Sequence, residues 1–114
     1  MSNCAPKRGE VWFVEFPLEE DNSKTINRPV IVLSESDEEL EVLSVKITKH
    51  APRDEWDYPL LYWNEASLRL ASTARVSKAS YLAQDDFIFK IGDLHKDDLE
   101  KVDKLFVKYI ESNQ

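Results

Sequence analysis

The chain has 114 residues, 42% hydrophobic, 11% aromatic and 32% charged, with a formal net charge of −7. That composition suits one packed core, so a single domain over 1–114 is expected, with its body at roughly 8–111 and a flexible stretch at 1–7. No apolar run approaches the roughly 20 residues a bilayer-spanning helix requires, and the acidic balance argues against promiscuous nucleic-acid binding.

Residues Met1 to Arg8 carry charge with no apolar segment behind it, so no secretory signal is expected. The single cysteine, Cys4, cannot form an internal disulfide, and a cytoplasmic, reducing compartment is the simplest expectation. The acids are unevenly spread. They concentrate in Glu19-Glu20-Asp21, Glu35 to Glu41, Asp54 to Asp57 and Asp85-Asp86. Ser44 to Arg53 holds Lys46, Lys49 and Arg53 without one acid; Lys24 to Arg28 and Arg69 to Lys78 are acid-free as well. A local basic site on an acidic body is therefore compatible with the sum.

In chain order, residues 10–16 are rich in β-formers and place Trp12, Val14 and Phe16 on one face. Pro17 ends that strand, and Leu18 to Asn27 is expected to be an exposed loop. Pro29 opens the short run Val30 to Leu33, the kind buried on both faces. Ser34 to Glu39 suggests a turn. In 41–48, Leu43, Val45 and Ile47 alternate with Ser44, Lys46 and Thr48, which puts Thr48 at a strand end on a polar face. Residues 49–62 lack a period, and Trp56 and Tyr58 are expected to pin this loop to the body. Asn64 is a candidate cap for a short helix to about Leu70. Two further strands are predicted over 73–83 and 87–91. Leu99, Val102, Leu105, Phe106, Tyr109 and Ile110 then recur at helical spacing. Together these predict a small curled antiparallel sheet or barrel, mainly β, with a short central helix and a C-terminal helix packed on it.

Three stretches carry a family resemblance: Arg8-Gly9-Glu10-Val11-Trp12-Phe13-Val14, Asn27-Arg28-Pro29-Val30-Ile31-Val32-Leu33-Ser34, and Lys90-Ile91-Gly92-Asp93-Leu94 followed by Asp98-Leu99-Glu100-Lys101-Val102. Val45-Lys46-Ile47-Thr48 and Thr73 to Lys78 fall in the expected places between them. In this order they resemble the MazF/PemK/Kid toxins over roughly residues 8–110. The resemblance implies an SH3-like barrel, a homodimer, metal-independent cleavage of single-stranded RNA such as mRNA, no cofactor, and a cognate antitoxin as partner. Two departures stand out. Thr48-Lys49 replaces the paired hydroxyls of many members, and His95 stands where a serine often caps the last helix.

Metal-free RNA cleavage uses the 2′-hydroxyl as internal nucleophile, so the protein must handle protons and stabilise charge at phosphorus. Arg28 is the first candidate. Its planar fork can hold two phosphate oxygens, and the resemblance adds a part in proton transfer; the alternative is a surface arginine anchoring the loop. Thr48 could donate its hydroxyl to a non-bridging oxygen, or be an ordinary β-forming threonine. His50 is the neutral-pH acid/base nearest in sequence, or merely an exposed histidine. Lys24, Lys46, Lys49, Arg53, Arg75 and Lys78 are candidate RNA-backbone contacts. Trp56, Tyr58 and Trp63 are candidates for base stacking or for core packing. Asp85-Asp86 and Asp97-Asp98 are not read as catalytic; the second pair suits the first turn of a helix. No metal ligands are expected. The alternative function is a non-catalytic protein-binding module of the same fold, or a gyrase-poisoning toxin.

Overall fold

The computed structural model describes residues 5–18, 20, 21, 23–35 and 41–113; Cys4 and most of the turn expected at Ser34 to Glu39 lie outside the described residues. Six strands follow one another as β1 (Glu10–Pro17), β2 (Thr25–Glu35), β3 (Glu41–Thr48), β4 (Asp57–Pro59), β5 (Thr73–Ala83) and β6 (Phe87–Asp93), and α1 (Lys96–Ser112) closes the chain. They form one sheet in the order β4-β5-β3-β2-β1-β6, antiparallel throughout. Register shifts interrupt the ladders within β1–β6, β2–β3 and β3–β5. Such bulges increase local twist and bend a strand. The result is the small curled sheet with a terminal helix that the sequence predicts.

Each face of the sheet carries a buried cluster. One face carries Val11, Ile31, Leu33, Val45, Ile47, Ala74 and Val76, covered by Leu60, Ala66 and the α1 residue Val102. The other carries Trp12, Val14, Phe16, Val30, Val32, Val42 and Leu82. The run Val30 to Leu33 therefore serves both clusters, as a two-faced strand should. Ser44 and Thr48 lie on what alternation marks as a polar face, yet both are buried, because that side of β3 is covered too. Ser44 satisfies its hydroxyl on the Val42 carbonyl at 3.1 Å.

Three expectations need correction. β2 starts at Thr25, before Pro29, because the β1–β2 hairpin stays paired down to Pro17 and Thr25. Pro29 pairs with Phe13 of β1 and precedes Val30, where the ladder to β3 begins. The loop after β3 contains the short strand β4, which pairs with β5. The helix expected from Asn64 is instead a run of tight turns. Glu65, Ala66 and Ser67 each donate to the carbonyl three residues back, and Ser67 has φ of +67°. That left-handed residue stops any helix from propagating.

Trp56 and Tyr58 do pin the loop. Trp56 meets Tyr109 edge-on, with centroids 5.3 Å apart, and the Tyr58 hydroxyl donates to Asp98 at 2.8 Å. Asp98 is fully buried and also accepts from the backbone N–H groups of Leu61 (3.1 Å) and Tyr62 (2.8 Å). Its partner Asp97 is the exposed first-turn acid, whereas Asp98 ties α1 to residues 58–62. Burial, followed by the bond to Asp98, pushes the Tyr58 pKa upward and keeps the hydroxyl a donor. His95 caps α1, its Nδ1 accepting from the Asp97 N–H at 3.0 Å while its ring stacks on Tyr62. The helix is too short and polar to cross a membrane, and among the described residues no other helix qualifies.

Gly92 seats the turn region against β6. A Cβ there would lie 2.9 Å from the Ala66 carbonyl carbon and nearer still to its oxygen. Gly92→Ala should therefore cost about 1–3 kcal/mol in urea denaturation, the usual penalty for forcing atoms into a packed contact. Asp98→Ala leaves two backbone donors and a tyrosine hydroxyl without their acceptor. It should lose about 3 kcal/mol, with Tyr58→Phe losing about 1 kcal/mol; thermal melts of the three proteins check the order.

Candidate active site

The start of β2 and the end of β3 lie side by side. Continuing their register from the Val30–Lys46 pair sets Arg28 opposite Thr48. Arg28 donates from Nη1 to the Ile47 carbonyl at 3.4 Å, so its guanidinium reaches across to the neighbouring strand. A cleft of about 430 Å³ opens at this point. Arg28, Thr48, Lys49 and His50 form one side, and Leu68 to Leu70 with Ser72 form the other.

Thr48 is 8% exposed. Its Oγ1 accepts the His50 N–H at 3.3 Å. A hydroxyl that accepts from the backbone can still donate its own proton, and Thr48 lines the cleft. His50 follows on the exposed rim. The cleft thus combines a fixed cation, a hydroxyl donor and an imidazole, a set suited to binding an oxyanion and moving a proton near it.

The other cations divide. Lys49 joins the cleft, but Lys46 and Lys78 line a separate hollow of about 200 Å³ beside Phe16 to Leu18. Lys24 is exposed just ahead of β2, and Arg53 is exposed in the loop after β3; neither lines the main cleft. Arg75 departs furthest from expectation. It is buried, and its Nε donates to Asp57 Oδ1 at 3.1 Å, while Asp57 Oδ2 accepts the Arg53 N–H. This pair joins β4 to β5 through their Asp57–Arg75 register, which makes Arg75 a structural cation rather than an RNA contact. Trp63 packs on the core beneath the helix, as does Tyr58. Asp85 and Asp86 sit in a single 3₁₀ turn (Gln84–Asp86) between β5 and β6. Among the described residues, no cluster of three or more His, Cys, Asp or Glu side chains is placed to hold a metal.

Sequence reasoning missed Arg69, an exposed arginine on the cleft wall. Its signal was the acid-free stretch it shares with Arg75. Only the turn geometry distinguishes the two.

The fold has relatives. MazF from Deinococcus radiodurans has the same fold, with a TM-score of 0.77 at 14% identity over 96% of this chain and 99% of that one. A MazE–MazF structure from the same organism gives 0.74 at 13%, covering 95% and 98%. A mycobacterial endoribonuclease solved with its cognate antitoxin gives 0.72 at 15%, covering 94% and 96%. Comparison with curated protein sequences gives no match. The family of PemK-like, MazF-like toxins, however, matches residues 7–110, nearly the whole body of the fold. The chain therefore belongs to the PemK-like, MazF-like toxin family of type II toxin–antitoxin systems.

Proposed function

We propose that this toxin is a metal-independent endoribonuclease that cuts single-stranded RNA, including mRNA, in the cytoplasm. The observation that carries the reading is the single cleft lined by Arg28, Thr48 and His50. Their chemistry matches what the reaction needs. The 2′-oxygen attacks the adjacent phosphorus, the bond from phosphorus to the 5′-oxygen breaks, and a 2′,3′-cyclic phosphate and a 5′-hydroxyl remain. One proton leaves the nucleophile and one reaches the departing oxygen. Arg28 holds the non-bridging oxygens as charge builds on them; a guanidinium, which hardly gives up its proton, suits electrostatic stabilisation better than proton transfer. Thr48 adds a hydroxyl donor. His50 adds an imidazole at the rim, whose two ring nitrogens can donate and accept a proton.

Lys49 supplies a charge beside Thr48 where many family members carry a second hydroxyl, so phosphate attraction here relies on Lys49, Arg28 and Arg69. A homodimer and a cognate antitoxin belong to the same reading. The mycobacterial endoribonuclease in complex with its antitoxin supports the second.

The test is incubation of the protein with a long, mixed-sequence RNA labelled at its 5′ end, in EDTA and low salt. Discrete cuts with cyclic phosphate ends are expected. Arg28→Ala should reduce kcat by about 10²–10³-fold, as losing an oxyanion donor does elsewhere. Thr48→Val should reduce it less, by about tenfold, for one neutral hydrogen bond. A folded wild-type protein that cuts nothing across a salt series would overturn the reading in favour of a protein-binding toxin, with gyrase as the next target.

A further inference from the structure

The cleft that holds Arg28 and Thr48 does not end at its wall. Pro29, Leu68 and Arg69 line it and also line a second cleft of about 510 Å³. The far side of that second cleft is aromatic, formed by Phe13 and Phe89. Register explains the track. Pro29 on β2 faces Phe13 on β1, and Phe13 faces Phe89 on β6, so three rings stand in a row across neighbouring strands. The two phenyl rings stack, with centroids 5.1 Å apart and planes 24° from parallel. Phe89 nevertheless remains 53% exposed, on the strand at the end of the sheet.

Charge is distributed to match. Lys90, at the far rim, is held by Glu10 and Asp93 at 3.1 Å each, which offsets most of its field. Arg69 stands at the junction of the two clefts and is exposed. A ligand running from the first cleft into the second thus meets a cation and then a flat aromatic surface. That sequence of groups fits a nucleotide: a phosphate, then a base with a π-face.

We infer that the second cleft is a base-stacking subsite. One base flanking the scissile phosphate lies on the Phe89 ring, and Arg69 holds the intervening phosphate. The inference rests on the proposed RNA-cutting role of the first cleft and adds where a neighbouring base goes. Continuity with that cleft favours RNA over a peptide or a second copy of the chain as the occupant.

The experiment uses the full-length protein and an oligonucleotide spanning the mapped cut, made uncleavable by a 2′-deoxy sugar at the cut position. Binding is followed by fluorescence anisotropy, with a set of variants each abasic at one flanking position. Phe89→Ala should weaken binding about tenfold, and Phe89→Tyr should restore it. One abasic position should weaken wild-type binding by the same factor and have no further effect on Phe89→Ala. Arg69→Ala should weaken binding to all the oligonucleotides and reduce the salt slope by about one. Unchanged RNA affinity in Phe89→Ala would overturn the subsite, as would additive losses at every abasic position. Sedimentation of Phe89→Ala as a smaller species than the wild type would also overturn it and assign the cleft to contact between copies. A wild type that neither binds nor cuts RNA would instead remove the underlying reading, so the two failures are distinguishable.

Discussion

Much of this structure hangs on one buried carboxylate. Asp98 enters the core at the first turn of α1 and gathers three donors from residues 58, 61 and 62. A buried acid is stable only when its oxygens are satisfied, and here the satisfying groups come from a stretch with no helix of its own. The exchange works in both directions. The loop supplies the donors that make a carboxylate in the core tolerable, and the carboxylate supplies the acceptor that two backbone N–H groups would otherwise seek in water. From Tyr62 the chain passes directly into the turns that end at Leu68. Those turns lead into Leu68 and Arg69, which line both clefts, so a contact remote from Arg28 bears on the space in front of it.

The legible parts of the sequence were those with a strong period. The strand around Trp12, the run Val30 to Leu33, the alternation before Thr48 and the stripe of α1 all follow side-chain patterns that packing enforces. The meeting of Arg28 and Thr48 in one cleft was only partly within reach: the alternation fixes the end of β3 at Thr48, but the true start of β2 at Thr25 depends on pairing with β1. What could not be read were features decided by partners far away in the chain. β4 exists because β5 offers an open edge to Asp57–Pro59. The turns after Asn64 replace a helix at the left-handed Ser67, and they seat their Ala66 carbonyl against Gly92, distant in sequence. Arg75 and Arg69 look alike as letters in one acid-free stretch, yet one is sealed against Asp57 and the other faces solvent at the cleft.

The net charge of −7 is less contradictory once the placement is known. Several acids are occupied internally. Asp57 neutralises Arg75, Asp98 binds backbone and tyrosine donors, Asp103 pairs with Arg8, and Glu10 serves Trp12, Lys7 and Lys90. Burial raises the Glu10 pKa, but its hydrogen bonds and the nearby Lys90 outweigh that effect and hold it below the ordinary value. Exposed acids still dominate the body, while the rim of the main cleft carries Arg28, Lys49 and Arg69. At physiological ionic strength, fields of exposed charges fade over about 8 Å, so a polyanion close to the rim responds to those cations more than to the sum.

The segment 61–70, whose last residues Leu68 to Leu70 wall the main cleft, is fastened on one side to the helix through the bonds from Leu61 and Tyr62 to Asp98 and on the other to β6 through the close approach at Gly92. Helix and wall are therefore a single energetic unit. A molecule that orders the wall from inside the cleft also holds the first turn of α1 in place, and by linkage anything gripping that turn from outside shifts the affinity of the cleft by the same free energy. In a protein this small, the back of the helix and the front of the cleft cannot be tuned separately.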